Sequence, residues 1–198
     1  MAVDRSAPAE LLAVEAFLNT LDERAYTHRG TRHAGGDQLT TPAALSAWLA
    51  REGLVPPGTR AGRDDLSVAR DLRAALRASL AGRIEPPDED AVAEANTTLG
   101  WFPLRLGLTP GGTPRLDPDG GGVLAEALGG IVAAVARAAA RGSWNRLRMC
   151  AAPDCHWVFY DTSRSGGGRW CSMAVCGNRA KTRRYRERHV GDEDASAS

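Results

Sequence analysis

"CAAPDCHWVFYDTSRSGGGRWCSMAVC", residues 150 to 176, contains every cysteine of the 198-residue chain. Cys150, Cys155, Cys171 and Cys176 stand in a C-x4-C-x15-C-x4-C pattern, two close pairs separated by a loop of zinc-ribbon length. A tetrahedral Zn2+ site takes four soft donors supplied as two facing turns, so the spacing predicts a metal centre. The fourth thiolate fills the position that catalysis needs open, so the ion is expected to be structural. The rival readings are four separate buried thiols, or a redox pair; no C-x-x-C follows a strand here to support the second. Between the pairs, Trp157 and Phe159 fall on one face of a short strand, and Ser165 to Gly168 read as a flexible return. His156 and His189 could substitute as ligands but are read as surface groups or neighbours of the ligands, and His28 and His33 as loop residues with no partner in view.

Downstream of the last cysteine, "GNRAKTRRYRERHV" is polar throughout apart from alanine, tyrosine and valine. Residues 146 to 190 carry ten basic side chains against Asp154, Asp161 and Glu187, a net +7 hidden inside a total of +1. Asn178 is expected to cap a helix bearing Arg179, Lys181, Arg183, Arg184, Arg186 and Arg188, with Tyr185 as a flat contact surface. Such a helix has no buried stripe to explain it, and its charge fits a polyanion such as nucleic acid, against the rival reading of a solvated basic tail. Double-stranded DNA is the partner expected first, while these residues by themselves leave DNA and RNA both open. Cys171 and Cys176 would point about 140° apart on one α-helix, so the chain is expected to turn between them. The last residues, 191 to 198, read as an acidic disordered tail able to fold back on the arginines.

The first 143 residues show helical periodicity. Leu11, Val14, Leu18 and Leu21 make one stripe, and Thr41-Pro42 opens a helix with Leu45, Trp48 and Leu49 inward. Asp65 is expected to cap a helix whose buried face is Leu66, Leu72, Leu76 and Leu80. Another helix after Pro86-Pro87 should bury Val92, Ala95 and Leu99. "WFPLRLGLTPGGTPRLDPDGGG" reads as a hairpin turning at Pro110-Gly111-Gly112, followed by a helix ended by Gly142. Residues 29 to 37 read as a plain connector. The fold class is α+β: a mainly helical domain with a short hairpin over residues 1–143, then a small zinc-finger module over 144–190 ending in the basic helix.

The segment from Cys150 to Arg188, with "WVFYD", "WCSM", Lys181 and the tetrapeptide Cys176-Gly177-Asn178-Arg179, resembles the CGNR zinc finger. Upstream, "FLNT" at 17–20, "LTTPAALSAWL" at 39–49 and "RDLRAAL" at 70–76 resemble the ABATE domain that precedes this finger. The resemblance implies a bacterial stress-responsive transcription regulator with zinc on the four cysteines. It implies no enzymatic chemistry, and no nucleophile–base pair or carboxylate dyad is recognisable, so a non-enzyme is expected. Where relatives carry basic or amide residues before the tryptophan, this chain has Gly166-Gly167-Gly168, which shifts any DNA contact onto the helix.

The start lacks the apolar core of a secretory signal, and the most apolar stretch, 127–142, is short and interrupted by Arg137, so cytoplasmic residence without membrane contact is expected. Two other functions stay open: a protein-interaction finger, and an N-terminal domain that senses a small-molecule effector. For the latter, Asn19, Arg73 and Asn96 are the candidate pocket residues, against a structural role as caps and buried partners. Oligomeric state is not encoded in any motif.

Overall fold

The first helix, α1 (Ala9–Leu18), buries Leu11, Val14, Phe17 and Leu18 on one side. The computed structural model describes residues 7–85 and 88–195, the last seven by their backbone alone. After α1 the chain makes four short strands, β1 (Leu21–Asp22), β2 (Tyr26–His28), β3 (Thr31–His33) and β4 (Gly36–Asp37). They form two nested antiparallel pairs, β1 with β4 and β2 with β3. Residues 29–37 are therefore not a plain connector. Arg29 and Gly30 both have positive φ (48° and 80°), the conformation of a two-residue hairpin turn whose twist matches its strands. Arginine at the first turn position hides that signal in the sequence.

Helix α2 (Pro42–Arg51) begins as expected: the Thr41 hydroxyl accepts from the Ala44 N–H at 3.1 Å, with proline at the first helical position. Helix α3 (Arg63–Ala81) is capped from inside its first turn, because Asp65 accepts the Gly62 N–H at 2.7 Å. Its buried face carries Leu66, Leu72, Leu76 and Leu80, and also Arg73 and Arg77. Helix α4 (Glu89–Leu99) lies against α3 but buries only Thr98 fully. Val92, expected inward, is exposed, with Ala95 and Leu99 half-buried. Strands β5 (Leu104–Leu108) and β6 (Pro114–Pro118) form the expected hairpin about residues 109–113.

Helix α5 (Val123–Ala140) packs on α1 and β6, and Gly142 follows its end at φ 75°. It is the one described helix long and apolar enough to cross a membrane, yet Leu128, Ile131, Ala134 and Ala138 on it belong to the main core.

The boundary expected at residue 143 cuts through that core. Strands β7 (Leu147–Met149) and β8 (Val158–Tyr160) pair antiparallel, and Trp144, Leu147, Met149 and Val158 are buried in the same cluster as the helices. On the other face of the hairpin, Phe159 packs with Cys150, Cys155 and Cys176 in a second cluster. The last helix, α6 (Asn178–Ala195), runs on through residues 191–195, where the sequence reading places a disordered tail. Residues 196–198 of that tail lie outside the described residues.

Candidate metal centre and its basic helix

The four sulfurs converge. All lie within 4.8 Å of one another, with Cys155–Cys171 and Cys171–Cys176 separations of 3.7 Å. A tetrahedral ion with ligand bonds of about 2.3 Å requires sulfur–sulfur edges of about 3.8 Å, whereas a disulfide requires about 2.05 Å. The donor set thus fits a four-thiolate ion and not a covalent bridge. Cys150 is fixed through its N–H to the Trp157 carbonyl (2.9 Å), and Cys155 closes a tight turn onto the Ala152 carbonyl (2.9 Å).

The second pair is joined by a single wide turn over Met173–Gly177, closed by the Gly177 N–H to the Ser172 carbonyl at 3.0 Å. An i→i+5 turn returns a residue five positions on to nearly the same direction, which an α-helix does not. That is the physical reason for four residues between these cysteines. The turn feeds straight into α6, so Asn178 is not an N-cap: it is already helical, and its amide bonds back to the Ala174 carbonyl at 3.2 Å.

Four thiols so close cannot all ionise without a cation. The thiols of Cys155 and Cys171 are pushed up, chiefly by Cys150, while Cys150 is drawn down by hydrogen bonds from the other three sulfurs. A bound dication removes the conflict by deprotonating every ligand.

Arg179 is turned toward the centre. Its side chain is ion-paired with Asp154, donates to the Cys176 Sγ at 3.7 Å, and lies 3.7 Å from the centroid of the Tyr26 ring. It is 18% exposed, which takes it out of the set free to reach a phosphate. Next to it, the Ala25 N–H donates to the Asp154 carbonyl (3.0 Å), and Arg24, itself paired with Asp22, covers the Trp157 ring at 4.0 Å. The β2–β3 hairpin is thus a brace against the metal knuckle. Burial first, and then the nearby sulfurs, push the Tyr26 hydroxyl up to about 12. The other helix cations, Lys181, Arg183, Arg184, Arg186 and Arg188, are exposed. Arg183 also lies 3.7 Å from Asp154.

The glycine run has a local cause. Asp161 is fully buried and accepts from Ser163 N–H (2.9 Å) and Gly168 N–H (2.6 Å), with Arg148 alongside. A Cβ on Gly168 would lie 2.8 Å from that carboxylate. Burial alone would raise the Asp161 pKa, but the backbone donors outweigh it and hold the carboxyl below its usual range. Sequence reading missed Asp161. "WVFYD" carries it, but only the folded loop reveals the three groups that surround it.

The candidate pocket residues do not meet. Asn19 accepts from Val158 N–H (2.9 Å) and donates to the Val158 carbonyl (2.8 Å). Arg73 grips both Asp37 oxygens (2.6 and 2.7 Å) and the Thr20 hydroxyl (2.9 Å). Asn96 is exposed on α4, at the edge of an alanine-lined cavity of about 470 Å³ between α3 and α4. Arg77, not singled out in the sequence, donates to the carbonyls of Leu18 (2.9 Å) and His156 (3.2 Å) and pairs with Glu23, tying α3 to the first knuckle. His156 is no ligand: it has φ 49° and faces Glu23 at 4.0 Å. His33, expected without a partner, lies against Tyr26 in a tilted ring contact, 4.7 Å between centroids. The side chain of His189 lies outside the described residues.

Two family models match. The ABATE model, described as "Putative stress-induced transcription regulator", covers residues 12–142, well over half of the chain, and the CGNR zinc finger covers 146–189. No curated protein matches the sequence.

Proposed function

We propose that this chain, which belongs to the ABATE family and carries a CGNR zinc finger, is a cytoplasmic DNA-binding transcription regulator, stress-responsive and bacterial as the resemblance implies. The metal we assign to the four cysteines is Zn2+, in a structural role. A dication on four thiolates leaves a charge of about −2, which the Arg179 guanidinium at the Cys176 sulfur partly offsets. We read the protein as a binder of nucleic acid and not as a catalyst.

The observation that carries this reading is the exposure of Lys181, Arg183, Arg184, Arg186 and Arg188 on a helix continuous with the metal turn. Cations mounted on a fixed rod hold a constant spacing against phosphates, and arginine adds bidentate reach to guanine edges. Duplex binding by the metal-loaded protein, followed by fluorescence anisotropy from 50 to 200 mM salt, tests it. Each phosphate contact contributes about −0.9 to the slope of log K against log salt, so five contacts set a limit of about −4.5. Arg184→Ala should reduce the slope by about 0.9 without changing thermal stability. Absent or salt-insensitive binding overturns the reading. Binding that survives nuclease and competes with no oligonucleotide would point to an acidic protein partner instead.

A further inference from the structure

We infer that this protein self-associates through the free edge of β5, pairing antiparallel with β5 of a second copy in a register centred on Leu106. Among the described residues, no strand but β6 pairs with β5. The direction of its hydrogen-bonding groups follows from two flanking bonds. Asp119 N–H donates to the Pro103 carbonyl and Thr109 N–H to the Thr113 carbonyl, both in register with the ladder. Antiparallel pairing alternates with period two, so residues 103, 105, 107 and 109 bond inward to β6. The N–H and C=O groups of Leu104, Leu106 and Leu108 therefore point out of the free edge.

Their side chains share one face of the hairpin. Leu104 is half-buried, but Leu106 and Leu108 are 71% and 67% exposed, the two most exposed large hydrophobic residues among the described residues. An unpaired edge that also displays leucines invites strand addition.

The sequence "LRLGL" identifies a second copy as the partner, because it is self-complementary in that register. Leu106 meets Leu106 of the other copy, Leu104 meets Leu108, and Arg105 meets Gly107. A register centred on Arg105 would set arginine against arginine, which is unfavourable directly across a ladder. The centred register also covers the exposed leucines. It lays Leu108 of one copy beside Leu104 of the other, at the hairpin end where α5 packs so tightly that a Cβ on Gly129 would lie 2.8 Å from Pro118, the register partner of Leu104. The result is a four-stranded sheet, β6-β5-β5-β6, with a two-fold axis at Leu106. This pairing does not depend on nucleic-acid binding.

Variants of the metal-loaded full chain with one added cysteine, the four native ones being held by the metal, test the register. Opposed residues of a hydrogen-bonded antiparallel pair have Cα atoms about 5.5 Å apart, inside the disulfide range, whereas two copies of residue 108 would be roughly 14 Å apart. Under mild oxidation Leu106→Cys should give a covalent dimer at least tenfold faster than Leu108→Cys, which is as exposed and reports chance collision. An equimolar mixture of Leu104→Cys and Leu108→Cys should cross-link to each other. Sedimentation of the unmodified chain over a concentration series should show a dimer. Leu106→Lys, at a solvent-facing position that does not support the core, should make it monomeric with its melting temperature unchanged at a fixed low concentration. Equal cross-linking at positions 106 and 108, or a monomer throughout the series, overturns the inference.

Discussion

Replacing Asn19 by alanine should destabilise the whole protein and loosen its metal, although Asn19 is far from the cysteines in sequence. In the β7–β8 hairpin, Cys150 N–H bonds to the Trp157 carbonyl and Asp161 N–H to the Arg146 carbonyl, so the backbone groups of Val158 point away from β7. Val158 is fully buried and Asn19 is 6% exposed. The Asn19 amide takes both groups, acting as one residue of a missing strand. Alanine would leave a buried N–H and a buried C=O unpaired, each costing about 1–3 kcal/mol, for a total of roughly 2–6 kcal/mol. That is a large part of the roughly 5–15 kcal/mol that holds an ordinary domain. Urea unfolding of the metal-loaded protein should show the midpoint falling by that free energy divided by an unchanged m-value. Asn19→Asp should do no better, since a carboxylate can accept from the Val158 N–H but opposes its carbonyl oxygen. Val158 lies three residues after Cys155, so metal loss to a competing chelator should also quicken. A destabilisation under about 0.5 kcal/mol, within the range of ordinary surface substitutions, would refute the reasoning.

Arg179→Ala and Arg179→Lys should both speed chelator-driven metal loss, because lysine keeps the charge but loses the planar stack on Tyr26; metal retention equal to the unmodified chain would contradict this. Chelation of the full protein should lower one cooperative thermal transition, read by far-UV circular dichroism, and not melt the finger alone. Burial pushes Glu15 up to about 7 from its ordinary 4.5. The folded state therefore keeps a proton that the unfolded chain releases, and stability falls as pH rises from 4.5 to 7. Glu15→Gln should accordingly stabilise at pH 8 by on the order of 1 kcal/mol, after discounting for solvent at a half-buried carboxyl, and have no effect at pH 4. Gly168→Ala should cost on the order of 1–3 kcal/mol through its clash with Asp161, measured by the same urea titration.

The helices are legible because their apolar residues recur at 3.6 and their caps are written in side chains: Thr41-Pro42 opens α2 as expected, and Asp65 does cap α3, but from the third position of a helix that starts earlier, at Arg63. The metal site was legible for a related reason, since cysteine spacing records local turns directly. What failed were features that depend on distant partners. Arg179 has the same side chain as Arg184, and only the position of Asp154 and Tyr26 decides that one turns in while the other stays out. Asn19 and Arg73 stand out in the sequence as polar residues at apolar stripes, but what they bind does not. Their partners, Val158 and Asp37, lie 139 and 36 residues away, at separations no local pattern can encode. Periodicity alone places Val92 inward, but Val92 lines the open cavity between α3 and α4, so its stripe is not fully covered.

Whether the finger is held by its ion or by the helical domain is decided by magnitudes. A structural zinc contributes on the order of 10–16 kcal/mol in small finger peptides. Burying Leu147, Met149 and Val158 against the helices contributes about 1.5–3 kcal/mol each, so roughly 5–9 kcal/mol together. The two are comparable, and they act on opposite faces of one short hairpin. Metal alone would fold the sulfur cluster but leave three large apolar side chains in water; the core alone would hold the hairpin against four crowded thiols. Asn19, Arg77 and Arg83 then cross-link the arrangement through backbone carbonyls at Val158, His156, Trp144 and Leu147. The direction of α6 is consequently set from two sides, by the turn that carries Cys176 and by Arg179 wedged between Asp154 and Tyr26. A disturbance anywhere in the β2–β3 brace has a direct physical route to the basic helix.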